Sequence, residues 1–559
     1  MPSYRVASER RKVCWMVRMQ TSEAGFCHRS DEQRGVLARW FEWVVGGCQG
    51  REPSPPLREA ARLERLEGEE AALPSLRTPS EPEIADMLRE HYPSGLTFVV
   101  VSYHTNPLYA IKERVRAEEG VDIDPFDQGG QGTYQERLAF ELAETFGLRV
   151  LTFTLARTFL PKEQYLNIHP QAPVVPVPHS ERHVEDESGL VRKENIYFVI
   201  DELVDNTVDY LARNAVQVDF FSGHYATGMA AARRLSQRYG KTVRRMVPYS
   251  TTTHSLGWDR FLATYEGYTW EQLKRFNFDH RLREERRAMQ EADLVISVAP
   301  SEIGTVTHPG LYNVSNEKVV SIPGGVDTQV FCLYDPAEHR DAVAALRHQH
   351  GIAEDDRLIL VIGRLWDYRR KGVDIALRAF ARAREDMGER TDSLLLALVG
   401  VPPVDDPTGK WSRLREEVEE LVHDSGVQDS TLLIEMVPHE AVPSWLHLTA
   451  LSRGVVLALP RVEPWGLMNL EAMATGNVVV TIDQGGPPNY IQTGHNGLLV
   501  NRDDVEHTVQ ILTEVLSNEE LAERIGQNAH STVSAEHSWG RVARRFLWAH
   551  LQAMNPAAV

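Results

Sequence analysis

The chain has 559 residues, 79 acidic and 60 basic, for a net charge of −19. That balance argues against broad nucleic-acid or membrane-surface binding, both of which need an excess of Lys and Arg, and leaves room for a local basic pocket only. With 42% hydrophobic and 25% charged residues the composition is globular, and the length suits roughly two to four domains.

Cys14, Cys27, Cys48 and Cys332 include no Cys-x-x-Cys pair, so they read as free thiols of a reducing compartment and not as a metal site. No run reaches the ~18 apolar residues needed to span a bilayer. No apolar stretch follows the basic start to make a signal peptide. The expectation is a soluble, cytoplasmic protein.

Residues 1–94 are charged and punctuated by proline, as in "REPSPPLREAARLERLEGEEAALPSLRTPSEPE". They read as an appended extension, partly disordered or helical. From residue 95 short β-branched runs alternate with helical patterns. The first series is "LTFVVVSYH" (96–104), "LRVLTFTLA" (148–156), "VDFFSGHY" (218–225), "VRRMVPYST" (243–251), "ADLVISVAP" (292–300) and "EKVVSIPGG" (317–325). The second is "RLILVIGRL" (357–365), "SLLLALVG" (393–400), "TLLIEMVP" (431–438), "GVVLALP" (454–460) and "NVVVTID" (477–483). Apolar runs without alternation are strands covered on both faces, hence parallel sheets with crossover helices. The reading is α/β: two Rossmann-like doubly wound domains, 95–326 and 327–535, facing across a cleft, with a final helix at 536–559. Ligands in such sheets lie beyond the carboxyl ends of the strands, so the chemistry belongs in the loops.

Several loops carry suitable residues. Asp122-Ile123-Asp124 has the form of a metal-binding Asp-x-Asp but reads as an ordinary acidic loop. "DQGGQGTYQERLAFELA" (127–143) opens a helix with Gly129, Gly130 and Gln131, which suit close backbone approach to an anion or sugar. It matches neither the dinucleotide fingerprint nor the phosphate loop. "STTTHSLGWDR" puts His254 at a strand end, where a lone His is more often structural. "VIGRLWDYRRKG" (361–372) puts Arg364 at the mouth of a strand and Lys371 after a short loop, a pair able to neutralise a diphosphate. "RVEPWGLMNLEAMATG" (461–476) sets Glu463 before a turn and Glu471 about two turns into a helix whose first N–H groups are open to a ligand. Carboxylates suit sugar hydroxyls. Alone, these two read more readily as a turn residue and a solvated helix face.

Together, "GGQG", "HSLG", "IPGGVD", "GRL…KG", "EPWGLMNLEA" and "GGPPNYIQTGHNGLLV" resemble the retaining glycosyltransferases of family 4, with GT-B architecture, over roughly residues 96 to 550. "SGHYATGMAAARRL", "THSLGWDR" and "RFNFDHRLREERRAMQEADLVISVAPSE" resemble the sucrose-phosphate synthases within that family. The resemblance implies that Glu471 holds the ribose and Glu463 the donor-sugar hydroxyls. Arg364 and Lys371 would bind the diphosphate, the amides of Gly466, Leu467 and Met468 would contact sugar and phosphate, and His254 would sit by the reacting carbon. Gly129, Gly130 and Gln131 would line the acceptor side. Lys193 and Arg281 would meet an acceptor phosphate; read otherwise, they are a surface charge and a helix salt bridge to Glu285.

The Arg-to-Lys loop is two residues longer than the common form, which lets Arg369 compete for the role of Lys371. Trp465 replaces the usual Phe, Arg260 stands where Lys is frequent, and a phosphatase-like tail is missing. The implied reaction moves a hexose, with glucose the first choice and UDP-glucose the expected donor, from a nucleoside diphosphate to a small phosphorylated sugar such as fructose 6-phosphate. It retains configuration by front-face attack, with domain closure excluding water and with no metal or other cofactor. Partners are thus the two substrates, with no nucleic acid. The alternatives are an inositol phosphate or secondary-metabolite sugar as acceptor, an epimerase or hydrolase on the same scaffold, and a non-catalytic sugar-nucleotide-binding protein.

Overall fold

The computed structural model describes residues 77–104, 130–156, 165–180, 184, 191–265, 276–388, 393–404 and 411–555. They form two units. The described residues up to 322, except Gly130, join 544–555 in the first; Gly130 joins 323–543 in the second.

The first unit holds β1 (Thr97–Val101), β2 (Arg149–Leu155), β3 (Tyr165–His169), β4 (Ala172–Val177), β5 (Phe220–His224), β6 (Tyr249–Thr252), β7 (Leu294–Ser297) and β8 (Val319–Ser321). They lie in the order β3-β4-β2-β1-β5-β6-β7-β8. Only the β3–β4 pair is antiparallel. Phe98, Val99, Phe220 and Phe221 are fully buried, as expected for central strands covered on both faces. The second unit holds β9 (Arg357–Ile362), β10 (Leu394–Val401), β11 (Thr431–Glu435), β12 (Val455–Ala458), β13 (Val478–Ile482) and β14 (Leu498–Val500). Their order is β11-β10-β9-β12-β13-β14, all parallel. These are the two Rossmann-like sheets that the apolar runs predict.

Strands β3, β4 and β14 are additions to that reading. Pro173 and Pro176 argue against a strand because proline lacks a ladder donor, yet β4 is buried along its length. The run expected from residue 243 starts late. The helix Tyr225–Val243 persists to that point, left-handed Arg244 closes it, and β6 begins at Tyr249.

In each sheet the chain reverses its direction of winding beside one strand, β1 in the first and β9 in the second. Loops part at such a point and leave a crevice for a ligand. In the first unit the crevice has a tight base. A Cβ on Gly223 would stand 2.4 Å from the Gly228 carbonyl oxygen, and one on Gly228 2.3 Å from that of Val101. The helix after β5 therefore packs backbone to backbone against the strand ends.

Among residues 1–94, those before 77 lie outside the described residues. The remainder includes a helix, Glu81–His91, opened by a capping box of Ser80 and Glu83. It buries Ile84, and Glu81 accepts from Arg544 at 2.9 Å. The last helix, Trp539–Met554, starts in the second unit and belongs to the first from Arg544 onward. Among the described residues no helix is long and apolar enough to cross a membrane.

Candidate active site

In the second unit the loops after β9 and β12 meet. Gly363, at φ +149, ends β9 and Arg364 follows it. The helical turn Tyr368–Lys371 then brings Lys371 Nζ to 3.9 Å from Glu463 Oε2. Burial pushes the Lys371 ammonium down from its ordinary pKa, against the opposing pull of Glu463. Arg369 is exposed, and its Nε donates to the Tyr368 hydroxyl at 2.9 Å. Lys371, and not Arg369, is the cation beside Glu463. The turn closes on Gly372, where a Cβ would fall 1.7 Å from the Leu459 carbonyl oxygen at φ +72. That close approach is the physical content of the Lys-Gly pair.

Glu463 is held by the "GGPPNY" stretch. Its carbonyl accepts from Gly486 N–H at 2.9 Å, and the Tyr490 hydroxyl donates to the Trp465 carbonyl at 2.9 Å. Trp465 Nε1 donates to the Gly324 carbonyl at 2.9 Å, which ties in the "IPGG" turn. Gly466, left-handed at φ +92, caps the helix Leu467–Ala474. In that geometry the N–H groups of Leu467 and Met468 have no helical acceptor. Glu471 sits little more than one turn into the helix rather than two, because the helix starts only at Leu467. Its Oε1 lies 3.4 Å from His439 Nε2. His439 escaped the sequence reading, although it follows β11 in a loop at the ligand-binding end of the sheet.

Gly129 and the Asp122–Asp124 triplet lie outside the described residues. Gly130 begins the helix Gly130–Phe146. Gln131 Oε1 lies 3.1 Å from His104 Nε2, and Gln131 Nε2 donates to Ser102 at 3.1 Å. His104 was not singled out, since it ends a run that reads as strand. Burial lowers its pKa to about 3, and does the same for His254. His254 lies in a three-residue turn at φ +50, closed by Ser255 N–H donating to the Thr253 carbonyl. Its Nε2 is 2.8 Å from His224 Nδ1. A non-glycine residue at this φ is a strained choice that surrounding bonds must enforce.

Lys193 and Arg281 come together in a small pocket, lined also by Glu194, Tyr197, Tyr225 and Arg260. Each nitrogen of the Arg281 guanidinium donates: Nε to Glu285 at 2.8 Å, one terminal nitrogen to Tyr225 Oη at 2.7 Å and the other to the Ser255 carbonyl at 2.6 Å. The salt bridge to Glu285, the alternative reading of Arg281, is thus present, and Arg281 also lines the pocket. The side chains of Lys193 and Arg260 make no hydrogen bond or ion pair with a described residue. Tyr225 registers the resulting field. Burial alone would raise its pKa, but Arg281, Lys193 and Arg260 outweigh it and the hydroxyl is shifted downward. With its oxygen accepting from Arg281, Tyr225 keeps its own proton to donate.

One further cluster lies in the second unit, where ligand atoms of Cys332, His339 and His447 fall within 4.8 Å of one another. His339 Nδ1 accepts from Asp335 N–H at 2.9 Å, so a neutral ring carries its proton on Nε2, the atom facing the Cys332 sulfur. A metal would need that nitrogen bare.

Comparison with known proteins follows the same division. The glycosyltransferase family 4 model matches residues 128–330, and the glycosyl transferases group 1 model matches 343–532. The chain belongs to the GT-B glycosyltransferases. It is 25% identical to mannosylfructose-phosphate synthase of Agrobacterium fabrum, covering 75% of this chain and 86% of that one. It is 28% identical to D-inositol 3-phosphate glycosyltransferase of Actinosynnema mirum, covering 82% and 97%. The solved sucrose-phosphate synthase of Thermosynechococcus elongatus superposes with a TM-score of 0.63 over 83% of this glycosyltransferase and 100% of that chain, at 22% identity. That last likeness is one of fold.

Proposed function

We propose that this glycosyltransferase moves a hexose, with retention, from a nucleoside diphosphate sugar to a hydroxyl of a small phosphorylated sugar. The observation that carries the reading is the Lys193–Arg260–Arg281 pocket, basic enough to pull a buried tyrosine below its usual pKa in a chain of net charge −19. Two cations whose side chains make no hydrogen bond or ion pair with a described residue, together with the Tyr225 hydroxyl, match a phosphate monoester in charge and in hydrogen bonding, with Glu194 at the pocket's lining beside Lys193. Both curated relatives carry a phosphorylated product or acceptor in their names, which supports the same class.

In the second unit, Arg364, Lys371 and the open N–H groups of Leu467 and Met468 serve the diphosphate, Glu463 the donor-sugar hydroxyls and Glu471 the ribose. The bond from the anomeric carbon to the diphosphate breaks, and the acceptor oxygen bonds that carbon from the same face. The acceptor proton passes to the departing phosphate oxygen. Glu463 acts as a hydrogen-bond acceptor, not as a nucleophile, because Lys371 and the sugar hydroxyls occupy it. The protein supplies position and charge, and no metal enters this reading. Fructose 6-phosphate with UDP-glucose is the first pair to try, and an inositol phosphate is the second acceptor.

The test is a comparison of acceptors. Lys193→Ala and Arg260→Ala should each raise KM for the phosphorylated acceptor by roughly tenfold or more, the scale of one lost charge-assisted bond, and leave KM for the donor unchanged. Equal use of phosphorylated and dephosphorylated acceptor by the unaltered protein would sink the phosphate reading.

A further inference from the structure

His254 does not stand alone. Its Nε2 meets His224 Nδ1 at 2.8 Å, and His224 Nε2 meets Ser222 Oγ at 3.2 Å. Ser222 Oγ lies 3.0 Å from Ser250 Oγ, which lies 2.9 Å from His550 Nε2. His550 Nδ1 ends the series 2.7 Å from the Phe546 carbonyl oxygen. Ser222, His224, Ser250 and His550 are all fully buried. The series thus runs through the core of the first unit, from the turn after β6, across β5 and β6, to the last helix.

A carbonyl can only accept, and that fixes the direction of every bond. Burial pushes His224 well below its ordinary pKa and both His254 and His550 to about 3, so each ring is neutral and carries one proton. His550 spends its proton from Nδ1 on Phe546, so its Nε2 must accept from Ser250. The heavy-atom geometry of the serine pair favours Ser250 as donor to Ser222, but a hydroxyl proton rotates to suit its partners. With its one proton given to His550, however, Ser250 must accept from Ser222. Ser222 in turn accepts from His224 Nε2, and His224 Nδ1 accepts from His254 Nε2. One proton per group satisfies every contact; the opposite direction would set two lone pairs against each other at His550.

We infer that Ser222, His224, Ser250 and His550 are positioning residues that hold His254 as the Nε2–H tautomer, presenting a bare Nδ1 that accepts a hydrogen bond from a ligand hydroxyl. Nδ1 makes no hydrogen bond with a described residue. An acceptor here welcomes a sugar hydroxyl and repels a phosphate oxygen, which has no proton to give. The ligand assignment rests on the transferase reading; the tautomer does not.

The test is 15N–1H correlation of histidine-labelled full-length protein at pH 7, with His254 assigned by its loss in His254→Gln. The expected pattern is a proton on Nε2 and a bare Nδ1. Ser222→Ala cuts the series and should give mixed tautomers at His254. His550→Gln, whose side-chain oxygen can accept from Ser250, should keep the Nε2–H form. A proton on Nδ1 in the unaltered protein, or a tautomer unmoved in Ser222→Ala, overturns the inference. The unaltered-protein spectrum decides even if a variant fails to fold. Correct tautomer with no transfer from any nucleoside diphosphate sugar would instead count against the transferase reading alone.

Discussion

Lys371 Nζ lies 3.9 Å from Glu463 Oε2, joining the loop after β9 to the loop after β12 in one charge pair. Both side chains are about a quarter exposed, so the pair stays within reach of solvent and of a ligand. It contributes little to stability by itself. Its worth lies in placing a cation and an acceptor on the same spot. Lys371→Ala should therefore lower kcat by about 10²–10³-fold, the scale of one lost preorganised electrostatic contact, with a small change in melting temperature. Arg369→Ala, which loses a contact to Tyr368, should stay within about threefold of the unaltered rate. Steady-state kinetics on the two variants checks the assignment, and a reversed order would give the role to Arg369.

Gly372 makes that loop possible. Gly372→Ala forces a Cβ toward the Leu459 carbonyl at a left-handed φ. The cost should be about 2–4 kcal/mol, read as an earlier urea midpoint for the second unit. Gly351→Ala, left-handed but with open space around it, should cost less.

Much of this was legible in the chain. Eleven runs locate eleven of the fourteen strands among the described residues, since most buried parallel strands here are apolar along much of their length. The missing three lack that signal: β4 is broken by prolines, β3 pairs antiparallel at the sheet edge, and β14 is three residues long. Glu463, Lys371 and Gly466 stand out in the chain through the family-4 motifs that carry them. His104, His224, His439 and His550 do not. Each sits inside a run whose periodicity reads as strand, helix or turn, and only the fold brings them to their partners. In the sequence Arg260 stands out merely as a replacement for lysine, and Arg281 supports two readings, of which its bonds to Glu285 and Tyr225 supply one.

Glu285 is fully buried and accepts from Arg281, from Gly257 N–H at 3.0 Å and from the Tyr312 hydroxyl at 2.6 Å. Glu285→Ala strands the buried Arg281 charge and should destabilise the first unit by about 3–5 kcal/mol. Removing both charges together, as Arg281→Met with Glu285→Leu, should cost less than the single change. Chemical denaturation of the three variants decides, and additive losses would deny the coupling.

Glu302 supplies a pH dependence. Burial, with nearby Asp259, raises its pKa to about 8, and Thr253 donates to it at 2.6 Å. A folded-state pKa above the unfolded value means that the folded protein binds the proton more tightly. Stability from this group is full below the ordinary carboxyl range and is lost as pH rises from there through about 8. Glu302→Gln should therefore gain on the unaltered protein between pH 5 and pH 8.5, measured as the difference in melting temperature at each pH. A difference that is flat across that range would show Glu302 ionised in the fold.

The most direct measurement is transfer itself. Purified protein is incubated with UDP-, ADP- and GDP-linked glucose and mannose, each against fructose 6-phosphate, an inositol phosphate and their dephosphorylated forms, and products are read by mass spectrometry. A phosphorylated disaccharide or glycosyl-inositol phosphate, absent with the dephosphorylated acceptors and absent in Glu463→Ala, is the predicted result. Transfer that ignores the acceptor phosphate, or donor binding with no transfer to any phosphorylated acceptor, would contradict it.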